Sequence, residues 1–158
     1  MIIREASIED ADVIIELWKE FIDFHGVRDE AFRRSHDGHE QFGAYVRKNI
    51  VSEEWLVLVA VENGKLIGYC TATVAEYPPV LERARYGFIQ DIAVTETCRG
   101  QGVGTRFVTR AELWFRRRGI TRIQLHVASA NEVSQAFWNR LGFKEYMRTL
   151  TREFQRHG

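Results

Sequence analysis

The sequence predicts a mixed α/β domain in which one sheet is covered by helices on both faces. Runs with apolar residues at helical spacing alternate with shorter runs rich in β-branched and aromatic residues. One central run, residues 86–94, is apolar on both faces, which is typical of a strand buried between two layers. At 158 residues the chain has room for one full core, so we expect one domain spanning residues 1–158. The predicted order of elements is β-α-α-β-β-β-α-β-α-β.

The first third of the chain predicts one strand and two helical segments. Residues 2–6 form a short strand-like run, and a helix is expected to follow it as far as about Phe24. Residues 28–49 are also helical in pattern but weaker, because Gly38 and Gly43 interrupt them. The apolar residues of the first helix, spaced three and four apart, are Ile14, Leu17, Trp18 and Phe21.

The middle of the chain predicts three strands. Residues 55–61 and 65–76 have strand composition, and Asn63-Gly64 between them supplies the positive φ angles that a tight hairpin turn needs. Pro78 and Pro79 then interrupt regular structure. The strand at residues 86–94 follows.

The last third predicts a long helix, a strand, a short helix and a final strand or two. The long helix begins near Val103 and ends at Gly119, a residue suited to a helix stop. Apolar residues alternate over 123–127, and helical spacing returns over 131–141. Residues 143–154 are expected to add the final strand or two.

Charge and apolar content exclude two broad classes of partner. Lys+Arg and Asp+Glu both number 22, so no overall positive field exists to hold a nucleic acid. The longest apolar run, residues 55–61, is far too short to span a membrane, and the N-terminus lacks the apolar stretch of a signal peptide. Cys70 and Cys98 have no metal-type spacing and are interpreted as reduced thiols, which favours the cytoplasm.

A glycine-rich turn after the central strand predicts an anion-binding site. Residues 90–94 lead into Arg99-Gly100-Gln101-Gly102-Val103-Gly104, and a helix starts there. The unpaired N–H groups of a first helical turn attract phosphate, and glycine lets the phosphate approach the backbone. No Lys-Ser or Lys-Thr follows the glycines, which excludes a P-loop, and the third glycine of a dinucleotide fingerprint is missing.

Two segments together resemble the GNAT superfamily of N-acetyltransferases. The turn has the Arg-x-x-Gly-x-Gly pattern of that superfamily's pyrophosphate loop. Downstream, Asn131 and then Phe137-Trp138-Asn139-Arg140-Leu141-Gly142-Phe143 resemble its Asn…Phe-Tyr-x-x-x-Gly-Phe segment at the same distance. The resemblance implies a GNAT-type fold, with a central, mostly antiparallel sheet. It also implies an acetyl-CoA-dependent acyltransferase that uses acetyl-CoA as cosubstrate and no metal.

The resemblance further implies which residues bind the cofactor. The backbone of Ile92, Ala93 and Val94 would pair with the pantetheine arm, and an amide near Ile92 would polarise the thioester carbonyl. Asn131, which also suits a helix cap, would lie near the pantetheine. Ser134 and Trp138 share a helix face and would pack against the cofactor. The residues expected at the pyrophosphate are Arg99, Gly100, Gln101, Gly102, Val103, Gly104 and Thr105.

The sequence departs from the superfamily at both catalytic positions. Trp138 stands where many relatives have a tyrosine that protonates the departing thiolate, and an indole N–H cannot do so usefully. Phe88 and Gln90 stand where relatives often have a glutamate base. Asp91 is interpreted as structural, because strand alternation would point it to the opposite face. Weak candidates for the catalytic role are Gln90, His126, Glu76 and Glu82.

Without a tuned base, the reactive species would be amine that has already lost its proton. The rate is then expected to rise with pH through the neutral and alkaline range. The resemblance implies an acceptor that is a primary amine on a small molecule or peptide, and it implies attack without a covalent enzyme intermediate. The alternatives are a non-catalytic CoA-binding module and an acetyltransferase for protein N-termini or lysines. A homodimer is a further expectation. His36 and His39 lack an obvious third metal ligand.

Overall fold

The computed structural model describes residues 1–157, which fall into two parts, residues 1–126 and the segment from residue 127 onward. The first part holds five strands and three helices, and the second holds one helix. The strands are β1 (Ile2–Glu5), β2 (Trp55–Glu62), β3 (Lys65–Glu76), β4 (Arg85–Val94) and β5 (Ile123–Gln124), and the helices are α1 (Ala11–Arg28), α2 (Gly38–Ile50), α3 (Val103–Arg117) and α4 (Glu132–Arg140). None of these helices is long and apolar enough to cross a bilayer.

The five strands form one mixed sheet in the order β1-β2-β3-β4-β5. The first four are antiparallel to their neighbours, and β5 is parallel to β4. The hairpin turn is as predicted, since Asn63 and Gly64 have φ angles of 51° and 75°. Such angles match the right-handed twist of the two strands that they join.

Helices cover both faces of the sheet, as the sequence predicts. Tyr69 of β3 is fully buried against α1 and α2, while the preceding residue, Gly68, faces α3. A Cβ on Gly68 would stand 3.3 Å from the ring of Phe107 in α3. The core between the sheet and the first two helices contains Ala11, Ile14, Leu17, Phe42, Val46, Val57 and Val59.

The second helix begins at Gly38 rather than near Arg28, so its predicted start is wrong, but it is more regular than the sequence predicts. It continues through Gly43 without a break, and α1 extends four residues past Phe24 to Arg28. A Cβ on Gly43 would stand 3.0 Å from Ile15 of α1, so this glycine allows the two helices to pack closely. The cost of glycine in a helix is offset here by tertiary packing.

The fifth strand is shorter than the alternation over residues 123–127 predicts. Only Ile123 and Gln124 pair with β4, opposite Gly87 and Phe88. A bulge in β4 starts just beyond Phe88, and a bulge disrupts the ladder beside it. The predicted extension of this strand is therefore wrong.

The predicted final strand at residues 143–154 is also wrong. After β5 the described residues contain α4 and no further strand. A strand needs a ladder partner for its N–H and C=O groups, and residues 143–157 join no ladder. The side chains of Met147, Leu150 and Phe154 are 78%, 90% and 79% exposed. The predicted element order is correct up to α4.

Candidate active site

The turn between β4 and α3 has the geometry of an anion-binding site. Gly100 and Gly102 have φ angles of 74° and 82°, which residues with a Cβ rarely adopt. Gly102 is the N-cap of α3, and the first intrahelical bond runs from Arg106 N–H to Gly102 O at 3.1 Å. The N–H groups of the first turn, Val103 to Thr105, therefore have no intrahelical acceptor.

Two side chains brace this turn. Arg99 donates from Nε to Val94 O at 3.0 Å, and Gln101 donates from Nε2 to Thr97 O at 3.1 Å. The guanidinium of Arg99 also lies 5.8 Å from the ring centroid of Phe24 in α1. Arg99 is exposed, so its remaining N–H donors can reach an anion at the turn.

One edge of β4 is unpaired along the half that leads into the turn. On one side Ile92, Ala93 and Val94 pair with Cys70, Tyr69 and Gly68 of β3. On the other side, pairing with β5 ends at Phe88. An extended ligand can add to such an edge as a further strand.

A bulge in β4 places Asp91 on a different face from the one that simple alternation predicts. Phe88 is opposite Thr73 and Ile89 is opposite Ala72, but the next pair joins Asp91 to Thr71. Gln90 is the extra residue. Since Thr71 and Thr73 are two apart on β3, Phe88 and Asp91 share the face that α1 and α2 cover. The interpretation of Asp91 as pointing away from Phe88 is wrong.

Asp91 lies near polar groups that have no hydrogen-bond partner. Asp91 is half-buried, and burial raises the pKa of its carboxyl group from 3.8 to about 6. Burial is the main cause of the raised pKa values of the Tyr69 and Tyr45 phenols, and the negative charge of Asp91 raises both pKa values further. The hydroxyl groups of Tyr69 and Thr71 are buried without a hydrogen-bond partner.

The weaker catalytic candidates lie apart from one another. Gln90 is exposed in the bulge. His126 is exposed and lies edge-on to Phe88, with ring centroids 5.2 Å apart. Glu76 is opposite Arg85, five residues along β3 from Thr71, which is about 16 Å in a strand. The structure thus brings His126, but not Glu76, beside the face that Phe88 and Asp91 share.

The second part of the chain holds the other three residues expected at the cofactor. Asn131 caps α4, because its side-chain oxygen accepts a hydrogen bond from Ser134 N–H at 3.0 Å. Trp138 is buried edge-on between Phe137 and Phe143, at centroid distances of 4.9 and 5.1 Å. The interpretation of Asn131 as a helix cap is confirmed. The ring of Trp138 packs against two other aromatic rings.

The histidine pair forms no metal site among the described residues. His39 lies 3.9 Å from the carboxylate of Glu40, its sequence neighbour. Residues 1–157 contain no cluster of three or more His, Cys, Asp or Glu side chains placed to share a metal ion. Cys70 and Cys98 are free thiols, and burial raises the pKa of Cys70.

The strand, turn and helix just described lie within a stretch that matches one known family. The sequence profile of the acetyltransferase (GNAT) family matches residues 15–143. The chain belongs to this family. GNAT proteins are acetyl-CoA-dependent N-acetyltransferases, and the match runs from α1 through the glycine-rich turn and α4.

Related proteins and structures agree with this assignment. N-alpha-acetyltransferase 30 of Schizosaccharomyces pombe is 29% identical over 114 residues, which are 71% of this chain and 73% of that protein. A tetramutant protein from Bacillus halodurans has the same fold, with a TM-score of 0.88 at 24% identity over 98% of this chain and 100% of that one. A predicted acetyltransferase from Clostridium acetobutylicum, solved with acetyl-CoA, has a TM-score of 0.77 at 19% identity over 96% and 95% of the two chains.

Sequence reasoning missed the polar group around Asp91. No glycine or proline marks the bulge at Gln90, so alternation gave the wrong face. The available signal was a carboxylate inside the predicted central strand, with Tyr69 and Thr71 two apart on the preceding strand.

Proposed function

We propose that this GNAT protein, acting as a single domain, transfers an acetyl group from acetyl-CoA to a primary amine. The observation that carries the proposal is the unpaired edge of β4, which is followed along the chain by the glycine-rich turn at the start of α3. An extended pantetheine arm and a pyrophosphate are joined in one molecule of acetyl-CoA, in the same order as this edge and this turn. Few other metabolites combine the two chemistries.

In this proposal each segment binds one part of acetyl-CoA. The backbone of Ile92 to Val94 pairs with the pantetheine amides, and the N–H groups at the start of α3 hold the pyrophosphate. Arg99 adds positive charge at the turn. The contacts expected from Asn131, Ser134 and Trp138 stay predictions. A backbone N–H near Ile92 polarises the thioester carbonyl, where negative charge develops during attack.

The amine attacks the thioester carbonyl directly. Holding the two reactants together can supply about 7–11 kcal/mol of the barrier, so a covalent enzyme intermediate is not required. The tryptophan at position 138 contributes packing rather than a proton, because its indole N–H is not an acid in the useful range. The sulfur leaves as a thiolate and takes its proton from water.

The acceptor is a primary amine of a small molecule or peptide. The relative from Schizosaccharomyces pombe is named as an N-alpha-acetyltransferase, so a protein N-terminus is a second acceptor class. A binding module without catalysis is the alternative from another class, and the absence of glutamate at Gln90 and of tyrosine at Trp138 favours it. The cytoplasmic location expected from the sequence stays a prediction, as does a homodimer.

Two measurements test the proposal. Acetyl-CoA at about 100 times its dissociation constant should stabilise the fold by about 2.7 kcal/mol, which differential scanning fluorimetry reads as a raised Tm. Release of free CoA thiol over a panel of primary amines and peptides, detected with a thiol reagent, tests transfer. The absence of a thermal shift would contradict the acetyl-CoA site. A shift without thiol release on any amine supports the binding module.

A further inference from the structure

One aromatic ring joins the end of α1 to the glycine-rich turn. Phe24 lies in the last turns of α1, and its side chain is exposed. The guanidinium carbon of Arg28 lies 3.4 Å from the centre of this ring, and that of Arg99 lies 5.8 Å from the same centre. The two guanidinium groups are therefore at most about 9 Å apart, the sum of these distances. We call them the arginine pair.

The positive charge of the arginine pair is not neutralised within the described residues. None of the ion pairs found there includes Arg28 or Arg99. The carboxylate of Asp29, the sequence neighbour of Arg28, accepts a hydrogen bond from Ala31 N–H at 3.0 Å. Burial, and then the charge of Arg28, lower the pKa of His25 below 6.5, so its ring is neutral at about pH 7. Two cations thus lie at the surface without a counter-ion.

Backbone carbonyl groups hold both arginines in place. Arg28 donates from Nη1 to Phe24 O at 2.7 Å, and Arg99 donates from Nε to Val94 O at 3.0 Å. A guanidinium group has five N–H donors, so each keeps most of its donors for a ligand. Both side chains are exposed. The arginine pair is therefore pre-organised for an anion with several oxygens, the ligand that a planar guanidinium binds best.

Resting on the proposed function, we propose that Arg28 binds the diphosphate of acetyl-CoA together with Arg99, and that the ring of Phe24 positions both guanidinium groups. The N–H groups at the start of α3 supply hydrogen bonds but only about half an elementary charge. A diphosphate carries two negative charges, and the arginine pair neutralises them. Arg28 lies on α1, outside the Arg-x-x-Gly-x-Gly pattern, so that pattern does not predict its role.

A capping role alone would have a different effect. Cations are favoured at a helix C-terminus, and Arg28 is the last residue of α1. A residue that only caps the helix changes the free energy of unfolding and leaves ligand affinity unaltered. Measuring both quantities on one variant separates the two roles.

The affinity of Arg28→Gln for acetyl-CoA tests the proposal. Isothermal titration calorimetry should show a Kd raised about 10-fold, the effect of losing one charge-assisted hydrogen bond. The Kd of the wild type should also rise more steeply with salt than that of the variant, because the variant has lost one charge contact. An unchanged Kd in Arg28→Gln overturns the proposal.

Arg33→Gln is the matched control. Arg33 lies five residues beyond Arg28, is exposed, and already pairs with the carboxylate of Glu30 at 3.4 Å. Its substitution removes the same charge from the same region and should leave the Kd of acetyl-CoA unaltered. An equal loss of affinity in both variants reduces the effect of Arg28 to overall charge and overturns the proposal.

Two substitutions test the positioning role of Phe24. Phe24→Leu keeps an apolar side chain but removes the ring, and should raise the Kd of acetyl-CoA. Phe24→Tyr keeps the ring and should retain the wild-type Kd. In the Arg28→Gln background, Phe24→Leu should have a smaller effect than in the wild type, because one of the two groups that the ring holds is absent. Equal Kd values for Phe24→Leu and Phe24→Tyr overturn the positioning role.

Acetyl-CoA also carries a phosphate on its ribose 3′-oxygen. The 3′-dephospho form of acetyl-CoA lacks that group and keeps the diphosphate. Arg28→Gln should therefore raise the Kd by the same factor for both ligands. An effect with acetyl-CoA alone overturns the assignment of Arg28 to the diphosphate.

Inorganic pyrophosphate tests the arginine pair without acetyl-CoA. The side-chain Nε–H resonances of Arg28 and Arg99 are followed by ¹⁵N NMR as pyrophosphate is added, and both should shift with one Kd while that of Arg33 stays unchanged. Shifts of this kind in a protein that does not bind acetyl-CoA contradict the proposed function and support the arginine pair. If acetyl-CoA binds but pyrophosphate leaves Arg28 unshifted, the proposed function stands and this inference is overturned.

Discussion

The ring of Phe115 in α3 lies directly against the backbone of Gly87 in β4. A Cβ built on Gly87 would stand 2.7 to 2.8 Å from three carbon atoms of that ring, and Phe115 is 1% exposed. Gly87 also pairs with Ile123 of β5. The glycine is required by space rather than by backbone conformation.

This contact predicts that Gly87→Ala destabilises the protein. Forcing one extra carbon into a packed core typically costs about 1–3 kcal/mol, measured here as the free energy of unfolding in urea. Phe115→Leu replaces the ring that would clash with a smaller side chain. The double variant should therefore lose less stability than the two single losses added together. Additive losses would contradict the contact.

The glycine-rich turn predicts that a substitution at Gly102 weakens acetyl-CoA binding. Gly102→Glu places a carboxylate where the pyrophosphate is proposed to bind. Two like charges at about 4 Å repel by about 4 kcal/mol at an effective dielectric constant of 20, so acetyl-CoA affinity should fall by at least about 100-fold. Isothermal titration calorimetry measures this.

Gly119→Glu is the matched control for that substitution. Gly119 also has a positive φ angle, 73° against 82° for Gly102, and both have open space around the position of a Cβ. Gly119 follows the C-terminal end of α3, away from the turn. The two variants should lose similar stability, but only Gly102→Glu should lose acetyl-CoA. Equal affinity in both would place the phosphate site elsewhere.

The aromatic packing of α4 predicts the behaviour of Trp138. Trp138→Phe retains a ring between Phe137 and Phe143 and should retain most of the activity. Trp138→Ala should lower acetyl-CoA affinity and cost about 3–5 kcal/mol of stability where the ring is buried. A large fall in kcat for Trp138→Phe, with unchanged acetyl-CoA affinity, would instead give the indole N–H a chemical role.

The raised pKa of Asp91 predicts how stability changes with pH. The folded protein binds this proton more tightly than the unfolded chain does, since the pKa rises from 3.8 to about 6 on folding. The resulting penalty is absent below about pH 4, grows as the pH rises to about 6, and stays constant above that. Two pKa units correspond to about 3 kcal/mol.

Asp91→Asn should remove that penalty. Its free energy of unfolding should match that of the wild type near pH 4 and exceed it by up to about 3 kcal/mol at pH 7, measured by urea unfolding at each pH. An excess that does not change with pH would show that the carboxylate is better solvated than its position in β4 implies.

The fold class, the hairpin and the turn could be predicted because local rules determine them. Asn63 and Gly64 have the φ angles that their sequence favours, and α3 begins at Val103, directly after Gly102, as the pattern predicts. The face of Asp91 could not be predicted, because a bulge depends on how two strands pair and Gln90 carries no local mark of it. The tail at residues 143–154 has strand-like composition but joins no ladder.

The order of the sheet has a consequence for how the chain folds. Strands β2, β3 and β4 are neighbours both in the chain and in the sheet, joined by a two-residue turn and a short loop. Such local pairings close small loops and form early. The parallel pairing of β5 needs all of α3 in place first and gains only two residue pairs. During refolding, the amides of β2, β3 and β4 should therefore be protected from hydrogen exchange before those of β5. The edge of β4 that is unpaired at this stage should stay unpaired in the native protein.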